Sequence, residues 1–167
     1  MTRAWNITPK WTGDTVAVLA SGPSMSAAVA ESLRWCHTIA VKHTCRLAPW
    51  ASMLVALDAP WPNGFRTFKG LRVAGVADNE TDALYAGPWM ERVQMGPGHV
   101  IEIRNSGLAA IRIAAAMGAK GIVLAGFDPH QPGRWHDPAP THYAGLAEGL
   151  AALCTELKAR GIEVRHV

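Results

Sequence analysis

Hydrophobic and polar positions change period repeatedly along this chain, and the changes mark out its elements. Thr15 to Ala20 is a β-branched and apolar run of strand length that stops at the turn Ser21-Gly22-Pro23-Ser24. Met25 to Trp35 then carries the Ala, Leu and Glu content of a helix. His37 to Val41 reads as a second strand with His43 just beyond its end, Thr44 to Trp50 as a short helical turn, and Ser52 to Leu57 as a third strand ending at Asp58. Leu71 to Val76 predicts a fourth strand, and the alternating stretch His99 to Ile103 a fifth. Gly107 to Met117 predicts a helix stopped at Gly118, with Ser106 as its N-cap because a hydroxyl there can accept an orphan amide hydrogen. Gly121 to Phe127 is continuously apolar, as in a strand covered on both faces. Leu146 to Arg160 predicts a helix ended by Gly161, and Ile162 to His166 a last strand.

Strand and helix alternate almost throughout, which predicts the α/β class: a Rossmann-like three-layer sandwich with a mostly parallel central sheet and right-handed crossovers. The stretches Ala59 to Gly64, Gly96 to Gly98 and Asp128 to Pro140 read as loops inside one domain, residues 1–167, rather than as linkers. At 167 residues and 49% apolar content, such a domain buries roughly 70% of its unfolded surface without staples. Asp14 and Gly22-Pro23 interrupt the first apolar stretch, and no window approaches the roughly 18 residues of a membrane span. A cytoplasmic protein with no membrane partner is expected. Cys36, Cys45 and Cys154 lack CxxC spacing and read as reduced, buried thiols. The net charge of +3 is interleaved along the chain, which points weakly to an anionic ligand and does not predict nucleic-acid binding. The seven tryptophans are expected to serve packing.

Ligands of a parallel sheet sit beyond the carboxyl ends of the strands, where helix N-termini aim amide hydrogens inward. The candidate residues fall there. Ser21, Gly22 and Ser24 offer backbone approach, hydroxyls and a helix start for phosphate oxygens, although the sequence is neither a Walker loop nor GxGxxG. Ser106 and Gly107 repeat the arrangement after a later strand. Gly126 allows backbone contact with a base or ribose, while Asp128 and Asp58 can accept hydroxyl hydrogens or bind a metal. His130, His136 and His142 crowd the loop before the last long helix, and His142 is the best placed to act as a general acid or base. Each of these features alone is also an ordinary cap, turn or surface loop.

The stretches Val16-Ala-Val-Leu-Ala-Ser-Gly-Pro-Ser24, Asn105-Ser-Gly107 and Lys120-Gly-Ile-Val-Leu-Ala-Gly-Phe-Asp128 together resemble the small bacterial sialyltransferases that use CMP-sialic acid. They also resemble the 6-hydroxymethylpterin diphosphokinase-like superfamily, from Val16 to the end of the chain. The resemblance implies a nucleotide-dependent transferase that moves a glycosyl group from a CMP-type donor, or a diphosphoryl group from ATP, to a small-molecule acceptor. By resemblance, Gly22, Pro23, Ser24, His43, Asp58, Ser106, Gly107 and Gly126 would contact the nucleotide, and Asp128 and His142 would serve catalysis, His142 as general base. Diphosphoryl transfer would further require Mg²⁺ on Asp58 and Asp128. Ala20 stands where the usual pattern has its first Gly, and the segment from Asp128 to His142 is shorter than a sialyltransferase lid. The chain therefore reads as a minimal, phage-type core, for which a non-catalytic nucleotide or nucleotide-sugar binding module is the alternative. Whether it forms a homo-oligomer stays open.

Overall fold

Val16, Ala17, Val18 and Leu19 are all completely buried, yet they feed two different cores in alternation, as the two-residue period of a strand demands. Val16 and Val18 join Ile39, Met53, Ile122 and Leu124 on one face. Ala17 and Leu19 join Ala40, Leu54, Val123 and Ala125 on the other. Such a strand belongs in the middle of a sheet covered on both sides. The computed structural model describes residues 5–58, 63–75, 82–85, 90–96, 99–139 and 145–167, with the backbone alone for 63–64, 84, 90–96 and 99–104.

Along the chain the strands are β1 (Thr15–Leu19), β2 (His37–Val41), β3 (Met53–Val55), β4 (Leu71–Ala74), β5 (Ala83–Leu84), β6 (Met90–Gly96), β7 (His99–Arg104), β8 (Gly121–Ala125) and β9 (Glu163–His166). The helices are α1 (Ala27–Ser32), α2 (Asn63–Arg66), α3 (Ser106–Ala116) and α4 (Leu146–Ala159), with a 3₁₀ turn at Lys42–Arg46. Seven strands form one sheet in the order β5-β4-β3-β2-β1-β8-β9, and every neighbouring pair is parallel. The α/β sandwich expected from the sequence is therefore present. Strand order runs outward from β1 in both directions, so the β1–β8 boundary is the switch point at which such folds open a crevice.

The face bearing Val16 and Val18 is covered by α3 and α4; α3 buries nine of its eleven residues there, from Ser106 to Ala115. The opposite face carries Ala17, Ala40 and Ala125, small residues that let a thinner layer of α1, the 3₁₀ turn and α2 approach closely. Among the described residues, no helix is long and apolar enough to cross a membrane.

Three expectations need correction. The strand at His99 stays out of the parallel sheet: β7 pairs antiparallel with β6, which the charged pattern of Met90–Gly96 had concealed. Helix α1 is six residues long, starting at Ala27 behind the cap Ser26, whose oxygen accepts from Val29 N at 3.2 Å. It ends early because the Ser32 hydroxyl donates to Val29 O at 2.7 Å and Leu33 and Arg34 close tight turns, which leaves Trp35 70% exposed rather than packed. Finally, Asn105 rather than Ser106 caps α3, accepting from Leu108 N at 3.0 Å. Ser106 is its first helical residue, and its buried hydroxyl oxygen accepts from Leu57 N at 3.2 Å.

Candidate functional site

The carboxyl ends of β1, β2 and β8 open on a cleft of about 690 Å³, counting its solvent-filled mouth. Ser21, Gly22, Ser106, Gly107, Gly126 and Asp128 all line it, so residues far apart in sequence meet at the switch point. The sheet itself does this: β1 and β8 run in register from Thr15–Gly121 to Leu19–Ala125, and the ladder continues as Ala20 N to Ala125 O and Gly22 N to Gly126 O, each 2.8 Å.

This stitching decides what the Ser-Gly-Pro-Ser loop can offer. Gly22 spends its amide on Gly126, and Met25 spends its own on Gly22 O at 3.0 Å. The Ser24 amide donates to Asp128 Oδ2 at 2.9 Å, and the Ser24 hydroxyl reaches Oδ1 at 2.8 Å and Oδ2 at 2.7 Å, donating to one at a time. The anion seated on this loop is thus the carboxylate of Asp128. Glycine is required at position 22 because a Cβ there would overlap Asp128 Oδ2 and Gly126 O and lie 2.9 Å from Asp128 Cγ. Gly126 is required because its φ is +69° and a Cβ would come within 2.5 Å of Ala20 O.

Across the cleft, α3 presents the other arrangement. Asn105 Oδ1 and Asn105 O satisfy the amides of Leu108 and Ala109, which leaves Ser106 and Gly107 as the orphan first amides of an eleven-residue helix. Both residues line the cleft, at the positive end of the helix dipole. Lys42 and Arg134 flank them. Lys42 adopts φ +51°, and among the described residues no other non-glycine lies in the left-handed region; a side chain there costs about 1–2 kcal/mol. Its ammonium is ion-paired with Asp58.

The remaining candidates lie outside the cleft lining. Pro23 and Ser24 are exposed on the outer side of the loop, and Asp58 reaches the site only through Lys42. His43 sits behind the wall, its ring 4.5 Å from that of His136 and 5.1 Å from Phe65. Burial lowers the pKa of both histidines, helped for His43 by His136 and for both by Arg134 and Arg46. His142 lies outside the described residues. Asp58 and Asp128 do not fit a shared Mg²⁺ as placed, since one is held by an ammonium and the other by Ser24; among the described residues no three His, Cys, Asp or Glu side chains converge as metal ligands.

Sequence reasoning passed over Lys42 and Arg134, and gave the cap of α3 to Ser106 instead of its neighbour Asn105. Lys42 follows the last residue of β2, so the strand-end rule that selected His43 applied one residue earlier. The loop of Arg134 is drawn in by Trp135, whose amide donates to Ser21 O at 3.2 Å and whose indole donates to Thr44 Oγ1 at 3.1 Å. Thr44 is fully buried and also donates to Ala20 O at 3.0 Å, tying β1, the 3₁₀ turn and the loop together. No protein-family model, curated protein or solved structure matches this chain.

Proposed function

We propose that this protein is a nucleotide-dependent transferase whose nucleotide lies in the cleft between β1 and β8. The observation that carries this reading is the pair of unclaimed amides at Ser106 and Gly107, opening on a cleft flanked by Lys42 and Arg134. Two orphan amides, a helix dipole and neighbouring cations favour phosphate oxygens. Asp128 lines the same cleft, and its carboxylate oxygens, which accept from Ser24, have further lone pairs for hydroxyls such as those of a ribose. The phosphates would therefore lie against α3, and the sugar against the Gly-Pro-Ser side.

Transfer requires an acceptor hydroxyl to lose its proton, and by resemblance His142 is the base that takes it. Glycosyl transfer from a CMP-type donor leaves the Lys42–Asp58 and Ser24–Asp128 pairs intact. Diphosphoryl transfer from ATP would require Asp58 and Asp128 to exchange these partners for Mg²⁺, so the first chemistry is favoured. Calorimetric titration with CMP, CTP and ATP, with and without Mg²⁺, tests this. Saturable cytidine-nucleotide binding without a metal requirement is expected; failure of all three to bind would overturn the reading.

The engagement of Asp128 with Ser24 also favours a second reading, a module that binds a nucleotide or nucleotide-sugar without turning it over. His142→Ala separates the two. The transferase loses product formation and retains binding, whereas the module binds equally tightly and forms no product before or after the change.

A further inference from the structure

Pro129, Gln131, Gly133 and Arg134 line one side of the cleft and belong to the loop that follows β8. Asp128 holds Ser24, Trp135 holds Ser21 and Thr44, and Arg134 and Asp137 exchange backbone bonds of 2.8 and 3.2 Å that make the loop turn on itself. A further contact is the His136 ring, 4.5 Å from His43 at a 56° tilt, with Trp135 edge-on to it at 5.1 Å and itself packed against the core. His43 Nδ1 and His136 Nε2 are both buried and neither has a hydrogen-bond partner. Two such nitrogens on adjoining rings are tolerable in neutral imidazoles and costly in cations, since each added proton is buried without an acceptor.

We infer that the His43–His136 pair is a proton-sensitive latch, holding the cleft wall closed while both rings are neutral and releasing it when they are protonated. The inference does not depend on what the cleft binds. The charges acting on the pair come from every side of the contact. Lys42 and Arg46 belong to the turn that carries His43, Arg134 and Asp137 belong to the loop that carries His136, and α2 contributes the uncharged ring of Phe65. Three of these charges are positive and only Asp137 is negative, so an added proton meets net repulsion. Both folded pKa values accordingly lie below the ordinary histidine value, first through burial. A depressed histidine pKa means that the open loop binds protons more readily than the closed one. Closure is therefore complete above about pH 6.5, the ordinary value, and is lost as pH falls below it toward the folded pKa values.

Amide hydrogen exchange on the whole protein tests the latch, with protection factors of residues 129–139 compared at about pH 7.5 and about pH 5. Protection should fall on acidification, steepening toward about tenfold per pH unit for each proton the open loop takes up, while β1 and β8 stay protected. His136→Phe keeps an aromatic ring and removes the proton site, and it should abolish most of the fall; His43→Phe should do the same from the other side. If either variant folds poorly, the two histidine C2 protons and the amide signals of residues 129–139 are followed together by NMR in the wild type, and the loop amides should shift with the histidines' midpoints. Protection of 129–139 that does not change with pH would overturn the inference. So would an acid-induced fall that persists in the phenylalanine variants, or one spread evenly over the whole sheet.

Discussion

Replacing Gly22 by alanine adds one methyl group where there is no room for it. The new carbon would overlap Asp128 Oδ2 and Gly126 O, so either the carboxylate must leave Ser24 or the β1–β8 stitch must open. Leaving Ser24 forfeits an amide and a hydroxyl bond to a carboxylate, at 2.9 and 2.7 Å; such bonds contribute about 1.5–3 kcal/mol each, with the lower end applying at this exposed site. Opening the stitch adds the loss of the 2.8 Å bond from Gly22 N to Gly126 O, about 1 kcal/mol. A destabilisation of about 2–4 kcal/mol follows, which in a chain of this length lowers Tm by roughly 4–16 °C. Thermal unfolding followed by circular dichroism measures it. Asp128→Ala supplies the control, because it removes one of the two overlaps: the double variant should be more stable than the sum of the single losses predicts, by about 0.5–3 kcal/mol. A Gly22→Ala protein within about 1 °C of wild type, or strict additivity in the cycle, would refute the account of how the loop is held.

Asn105→Ala removes the cap of α3 and should cost about 1 kcal/mol, whereas Ser106→Ala strands the buried Leu57 amide and should cost about 1–3 kcal/mol; chemical denaturation ranks the two. Burial pushes the Cys45 thiol up to about 11, so in the native protein near pH 8 it should resist a thiol reagent until denaturant is added. Equal reaction rates for all three cysteines would contradict that. Arg72 hydrogen-bonds the Asp82 carboxylate and holds its pKa below the ordinary value, a contribution present above about pH 4 and lost as pH falls through the folded pKa. Asp82→Asn should thus cost about 0.5–1 kcal/mol near neutrality, and its deficit should shrink in acid.

The parallel sheet was legible because its central strands are apolar on both faces and lie between helical stretches, a pattern that admits few arrangements. Val16 to Leu19 and Ile122 to Ala125 announce themselves in this way. Met90–Gly96 did not, since Glu91, Arg92 and Gln94 break its apolar run. The position of the site was legible for a related reason: parallel strands put every loop after their carboxyl ends on one rim, so Gly22, Gly107 and Gly126 had to come near one another. What each residue does there was less so. Ser24 reads as a phosphate ligand until Asp128, 104 positions later, is found in that place. No local pattern encodes that contact, because it depends on how β1 registers against β8. Lys42 stood at a strand end where the same rule could have found it, but its φ of +51° carries no mark in sequence.

The central claim is that an anionic ligand docks on the first amides of α3 while Asp128 keeps the Gly-Pro-Ser loop. Backbone amide NMR during a titration with CMP or CTP addresses it most directly. Saturable shifts at Ser106 and Gly107, with the Ser24 amide left on its carboxylate, are the result this account predicts. Shifts centred on Ser24 and Met25, with Ser106 and Gly107 unmoved, would contradict it.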